Sequence, residues 1–186
     1  AAYYRSAGWR GTWRGEGGGV LLNQAPHGLD LACHLTGLPK RVVAWTRTLR
    51  HAIETVVTLL AMVEYEGGAL GTIYISTAEA GPRRMEIVGT GGRIQIEENG
   101  ALRFDRFETD LRDHIANHPG MYASPAMEPV EIDIPEGVGD HAAVYRDLHQ
   151  AIWTGGVPRT DGREGRMSLE LANAMIYSGH TGQPVD

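Results

Sequence analysis

Between Arg41 and Ile134 nearly every patterned segment of this chain reads as β-strand, and the helical patterns stand before and after that block. Arg41 to Thr48, Thr55 to Tyr65 and Leu70 to Thr77 are rich in β-branched and apolar residues, with Glu66-Gly67-Gly68 as a turn. Shorter strands are expected at Met85 to Val88, Arg93 to Glu97, Leu102 to Phe104 and Val130 to Ile134, with Asn99-Gly100 a strong hairpin signal. Helical periods cover Val20 to Thr36, Asp140 to Thr154 and Ser168 to Ser178. Strands gathered in one block with helices at its ends predict an α+β fold, an open, mostly antiparallel or mixed sheet with helices on one face. Val56 to Val63 is apolar on both alternating sets, which predicts a strand covered on both sides. Glu108 to Pro129 holds three prolines and no steady period, and reads as a long loop with room for one helical turn.

The length of 186 residues suits one domain, and a chain of this size buries roughly 70% of its unfolded surface without disulfides or metal clips. Seventeen Lys and Arg against 23 Asp and Glu leave a net charge of −6, so no basic face is available for a general nucleic-acid binder. Cys33 stands alone and has no partner for an internal disulfide, which fits a reducing compartment. No apolar run approaches the roughly 20 residues that span a bilayer, and the N-terminus lacks the apolar centre of a signal peptide. These features lead us to expect a cytoplasmic protein without membrane or nucleic-acid partners.

Residues 1–19 are aromatic, basic and glycine-rich, and predict an extended segment whose Tyr4, Trp9 and Trp13 reach a surface or a pocket. The helix that follows contains Pro26, which removes a hydrogen bond and clashes with the preceding turn, so a kink or a late start is expected beside His27. Gly37, followed by Pro39, is its expected stop.

One glycine run, Gly89-Thr90-Gly91-Gly92, invites a nucleotide-loop reading. It is followed by strand-forming Ile94-Gln95-Ile96 rather than by a helix, so a hairpin turn fits better. The stretch GGGVLLNQAPHGLDLACHL carries more information. Asn23 and His27 are four apart, and Asp30 and His34 lie three and seven residues beyond His27, a polar stripe on an otherwise apolar helix. The stripe is open to three readings: a solvated face, a metal site on Asn23, His27, Asp30 and His34, or acid–base chemistry with His27 as the titrating group. The metal reading is the weakest of the three by spacing, because a helical zinc pair places its histidines four apart.

GGGVLLNQAPHGLDLACHLTGLP resembles the start of the C-terminal domain of the glucose–fructose oxidoreductase / inositol dehydrogenase / MocA (Gfo/Idh/MocA) family. Members carry Gly-Gly, three residues, an Asp, three more and a catalytic His; here Asn23 takes the Asp position and His27 the His position. MEIVGTGGRIQIE and the closing GVPRTDGREGRMSLELANAMIYSGHTGQPV extend the resemblance over nearly the whole chain.

The resemblance implies a glyceraldehyde-3-phosphate-dehydrogenase-like C-terminal fold, with residues 1–186 forming a substrate-binding and oligomerisation domain. An N-terminal Rossmann domain, of order 100–150 residues and absent from this chain, would hold NAD or NADP. The implied activity is hydride transfer to or from a sugar, polyol or related small molecule, with His27 exchanging the hydroxyl proton and a lysine of the other domain assisting. The expected partners are that substrate, the Rossmann domain and further copies of the chain packed against the open sheet face. No metal is expected, and the chain alone should be inactive. A carboxylate beside an imidazole raises its pKa by roughly 1–3 units, whereas an amide only orients it, so Asn23 in the Asp position is expected in the catalytic site as the orienting neighbour of His27. Tyr4, Trp9, Arg10, Trp13, Asp30 and His141 are further candidates for the substrate pocket, the aromatic and Arg side chains because they suit polyols. The alternative is a non-catalytic binding or oligomerisation module that kept the fold.

Overall fold

The computed structural model describes residues 2–120, 123–133 and 140–186. The chain divides into two compact units, Ala1–Ala80 with Val144–Asp186, and Gly81–Ala143.

The first unit opens on a short helix α1 (Ala2–Arg5) and a run of turns, where the sequence predicted extended chain. Three glycines in the first 19 residues allow this, since Gly11, Gly17 and Gly19 all adopt positive φ. Helix α2 (Val20–Asn23) then ends, and α3 (Pro26–Thr36) begins with Pro26 in its first turn. The expected interruption beside His27 is therefore present. Proline is tolerated there because a first-turn N–H has no helical partner to lose. Gly37 closes α3 at φ 78°, and its N–H donates to the Cys33 carbonyl at 2.8 Å.

Strands β1 (Arg41–Arg47), β2 (Thr58–Glu64) and β3 (Leu70–Ser76) form an antiparallel sheet in that order. One face is buried: Val42, Ala44, Leu59, Ala61 and Val63 join Leu21, Leu29 and Cys33 of the preceding helices in a single core. Helix α6 (Gly162–Thr181) adds Leu171, Ala172 and Met175 to that core. Asp161 caps α6 by accepting from the N–H groups of Arg163 and Glu164, and those bonds hold its carboxyl below the usual range. Gly179 permits the close approach of α6 to β1, since a Cβ there would lie 2.5 Å from Cγ2 of Thr46. Buried Ser178 accepts from the Ala44 N–H at 2.9 Å and donates to the Gln183 carbonyl at 2.7 Å. The other face of the sheet is left uncovered by the described residues of this chain. Trp45, Leu60 and Tyr74 stand in register across the three strands, and with Met62 they are exposed on this chain.

In the second unit β4 (Arg84–Gly89), β5 (Gly92–Glu97), β6 (Leu102–Phe107) and β7 (Met127–Val130) make a second antiparallel sheet. The glycine run is the β4–β5 hairpin and Asn99-Gly100 turns β5 into β6. The region 108–129 is more ordered than its prolines suggest. It carries the two-turn helix α4 (Leu111–Asn117), capped by Asp110, and most of β7. The strand lies earlier than expected, and residues of the expected Val130–Ile134 strand beyond 133 lie outside the described residues.

Helix α5 (His141–Thr154) spans the division between the units. Of its apolar stripe only Ala151 is buried, while Val144, Leu148 and Ile152 remain exposed. Among the described residues no helix is long and apolar enough to cross a membrane.

Candidate functional site

The glycine run before α2 sets the site. At Gly19, φ is 63° and a Cβ would sit 2.4 Å from the Val56 carbonyl oxygen, so only glycine lets this backbone lie against the segment ahead of β2. The same approach lets the Val20 N–H donate to that carbonyl at 2.9 Å. The start of α2 is thereby pinned, and Asn23 at its end is aimed back at the N-terminal segment.

A cavity of about 200 Å³ lies between these pieces. Tyr3 and Tyr4 of α1, Glu16, Asn23 and Gln24, and His51 and Thr77 supply its polar lining, with Gly19 and Val20 behind. The Asn23 amide nitrogen donates to the Tyr3 hydroxyl at 2.5 Å and to Glu16 Oε1 at 2.6 Å. The Tyr4 hydroxyl lies 3.4 Å from Oγ1 of Thr77, and its ring packs 5.0 Å from the His51 ring. Phenols, amides, a hydroxyl, an imidazole and a carboxylate around one small space present both donors and acceptors, which suits a ligand rich in hydroxyl groups.

The expected residues divide sharply. Asn23 and Tyr4 line the cavity. Arg10 does not, but its guanidinium lies 4.0 Å over the Tyr3 ring and 4.8 Å from that of Trp9, backing the wall. Trp9 and Trp13 are exposed, with Trp13 packed 5.2 Å from the His180 ring. His27, on the first turn of α3, is exposed and has no hydrogen-bond partner among the described residues. Asp30 is exposed one turn further on, and its charge acts with burial, the larger cause, to push the Cys33 thiol upward. His141 opens α5 in the other unit. The helix break at Gln24 and Ala25 therefore separates Asn23 from His27, and no hydrogen bond joins them.

Tyr3, Glu16, Gln24, His51 and Thr77 were not among the residues singled out from sequence. Glu16, set directly before the glycine run, had a local signal, while His51 and Thr77 reach the cavity only through the sheet. Among the described residues no group of three or more His, Cys, Asp and Glu side chains converges as a metal site would require.

The family comparison now has a structure to stand on. The model of the GFO/IDH/MocA C-terminal domain matches residues 1–95, half of the chain and the part that builds both the cavity and the first sheet. The chain belongs to the GFO/IDH/MocA family. Among solved structures it is similar to the WlbA dehydrogenase of Bordetella pertussis in complex with NADH and UDP-GlcNAcA, at 27% identity and a TM-score of 0.73. That match covers 99% of this chain and 49% of that one. The WlbA dehydrogenase of Chromobacterium violaceum, also with NADH and UDP-GlcNAcA, is 29% identical with a TM-score of 0.74, over 99% and 50% of the two chains. An aldose-aldose oxidoreductase of Caulobacter crescentus, complexed with glycerol, shares the fold at 21% identity and a TM-score of 0.73, over 96% and 50%. No curated protein matches this chain. The chain spans about half the length of these solved structures.

Members of the family bind a nicotinamide dinucleotide, as the NADH in both WlbA structures illustrates. The loop Gly89 to Gly92, whose glycines invite a nucleotide reading, joins antiparallel strands and leads into no helix whose N–H groups could meet a pyrophosphate.

Proposed function

We propose that this chain is the substrate-binding and proton-transfer half of an NAD(P)-dependent oxidoreductase acting on a hydroxyl-bearing carbon of a sugar, polyol or related small molecule. The observation that carries the reading is the polar cavity at Asn23, built from the segment that matches the family. The cofactor, held by a separate nucleotide domain, supplies the hydride acceptor or donor. In this scheme the cavity binds and orients the hydroxyl-rich ligand, and His27 holds or takes the proton of its reacting hydroxyl. A proton-transfer group that must meet substrate where another domain closes over it has to be open on this chain alone, as His27 is. A well-placed acid–base group contributes on the order of 10²–10⁴ in rate.

Replacement of His27 by Ala in the complete enzyme is expected to cut turnover at least about a hundredfold with the fold intact. Near-normal turnover would sink the assignment. The isolated chain is expected to show no turnover with either dinucleotide. The exposed Trp45, Leu60, Met62 and Tyr74 face is the surface we assign to self-association, and a stable monomer in sedimentation at micromolar concentration counts against it. A rival reading, a non-catalytic binding module, draws on the amide at position 23 and the unpartnered His27. It predicts ligand binding that is indifferent to His27 and no dinucleotide-linked turnover in the complete protein.

A further inference from the structure

One side chain organises the cavity without having any part in the proton-transfer scheme. Glu16 reaches it from the turn before the glycine run and meets Asn23, seven residues on, through Oε1 at 2.6 Å. A carboxylate oxygen accepts hydrogen bonds and has none to give, so the atom of Asn23 that faces it is the amide nitrogen. This contact decides which way round the amide stands. The second N–H of the same group goes to the Tyr3 hydroxyl. Both donors are thus engaged, and Oδ1 is left as an acceptor on the side of Gln24, whose Nε2 donates to it at 3.2 Å.

Glu16 is itself held from behind. The Gly11 N–H donates to its Oε2 at 2.8 Å, and the buried Thr55 hydroxyl lies 3.5 Å from the same oxygen. The Gly11 carbonyl in turn accepts from the Glu54 N–H at 2.8 Å, so the carboxylate is tied to a backbone loop.

We propose that Glu16 is a positioning residue of this site: it turns the Asn23 amide so that its oxygen, which takes one hydrogen bond from Gln24, offers its second lone pair to a ligand hydroxyl, and it is the reason this position carries an amide rather than a carboxylate. The proposal rests on the reading that the cavity takes the substrate. An aspartate at position 23 would bring two carboxylates to the distance at which Asn23 and Glu16 now share a hydrogen. Two carboxylates sharing a site cannot both ionise freely, so one would take up a proton. The negative charge of the site sits one hydrogen bond behind the amide, on Glu16, and polarises the amide oxygen that meets the ligand.

The test compares the full native protein with N23D, E16Q and the double variant E16Q/N23D, in which carboxylate and amide exchange places. Thermal unfolding is followed from about pH 5 to about pH 8 without ligand. A carboxyl pair that shares a proton has a raised pKa in the folded state, so the Tm deficit of N23D grows as the pH rises through that range. E16Q/N23D restores an amide facing a carboxylate and recovers the pH profile of the unsubstituted protein. In turnover, kcat/KM of the double variant exceeds that of N23D by roughly tenfold, a coupling expected only of groups in direct contact. An N23D deficit equal at both ends of the range, or a double variant as damaged as the two singles summed, overturns the proposal. Absence of turnover in the unsubstituted protein would sink the oxidoreductase reading instead, and the unfolding result then decides the Glu16–Asn23 pairing by itself.

Discussion

The two units of this chain are held together by different physics. In the first, apolar residues from α2, α3, α6 and the sheet meet in one core, and the fully buried polar groups, Thr55 and Ser178, accompany it. In the second, among the described residues, the buried side chains are Pro125 and Asp105, the carboxylate at 2% exposure. Arg93 Nη2 donates to its Oδ2 at 2.8 Å and Arg103 Nε to its Oδ1 at 2.9 Å. Those bonds, Arg93 first, hold the carboxyl below its ordinary value. An apolar core responds to volume and is indifferent to pH, whereas a carboxylate clamped by two guanidiniums responds to charge. The cavity sits in the unit with the apolar core, so its polar groups rest on a scaffold held mainly by apolar packing.

The contrast can be broken most forcefully from the apolar side. Leu59→Ala removes a wholly buried side chain of β2 and is expected to cost about 2–5 kcal/mol. Hydrogen exchange should show the loss spread over β1–β3 and α6 and absent from β4–β6; a loss shared equally by both regions would refute separate cores. Next in size is Asp105→Asn, which keeps volume but strips the charge that both arginines face. It should lower exchange protection in β4–β6 by roughly tenfold or more while leaving β1–β3 as they were. Acid sharpens the same point. A depressed carboxyl contributes stability that is fully present above the ordinary pKa of about 4 and is lost as the pH falls through the lower folded value. Protection in β4–β6 should therefore fail on acidification before that in β1–β3, and simultaneous loss would argue against the clamp. Smallest is Gly100→Ala in the β5–β6 turn, where φ is 80° and nothing crowds the position. It is expected to cost about 1–2 kcal/mol from backbone strain alone, read as a modest local rise in exchange.

Local structure was legible to the extent that local rules govern it. The break at Pro26, the stop at Gly37 and the turns at Gly89–Gly92 and Asn99-Gly100 depend on backbone restrictions that neighbouring residues carry in themselves. The α1 turns were missed and α4 was read as a single helical turn, because glycine and proline content mark irregularity without saying which turns form. The alternation in β2 was read as two covered faces, yet Leu60 and Met62 are exposed on this chain. Apolar character says that a surface is fit for burial; it does not say by what.

The candidate site shows the same boundary. The α+β class, the family resemblance and the choice of Asn23 as a candidate all follow from the sequence, since each rests on spacing along the chain. Which groups meet Asn23 was decided only by the tertiary structure. Tyr3 lies 20 residues before it and Glu16 seven, and Gly19 must close on Val56 before either can reach the amide. Loop closure of that kind has no local signature, because its free energy comes from contacts that exist only once the distant segments are packed.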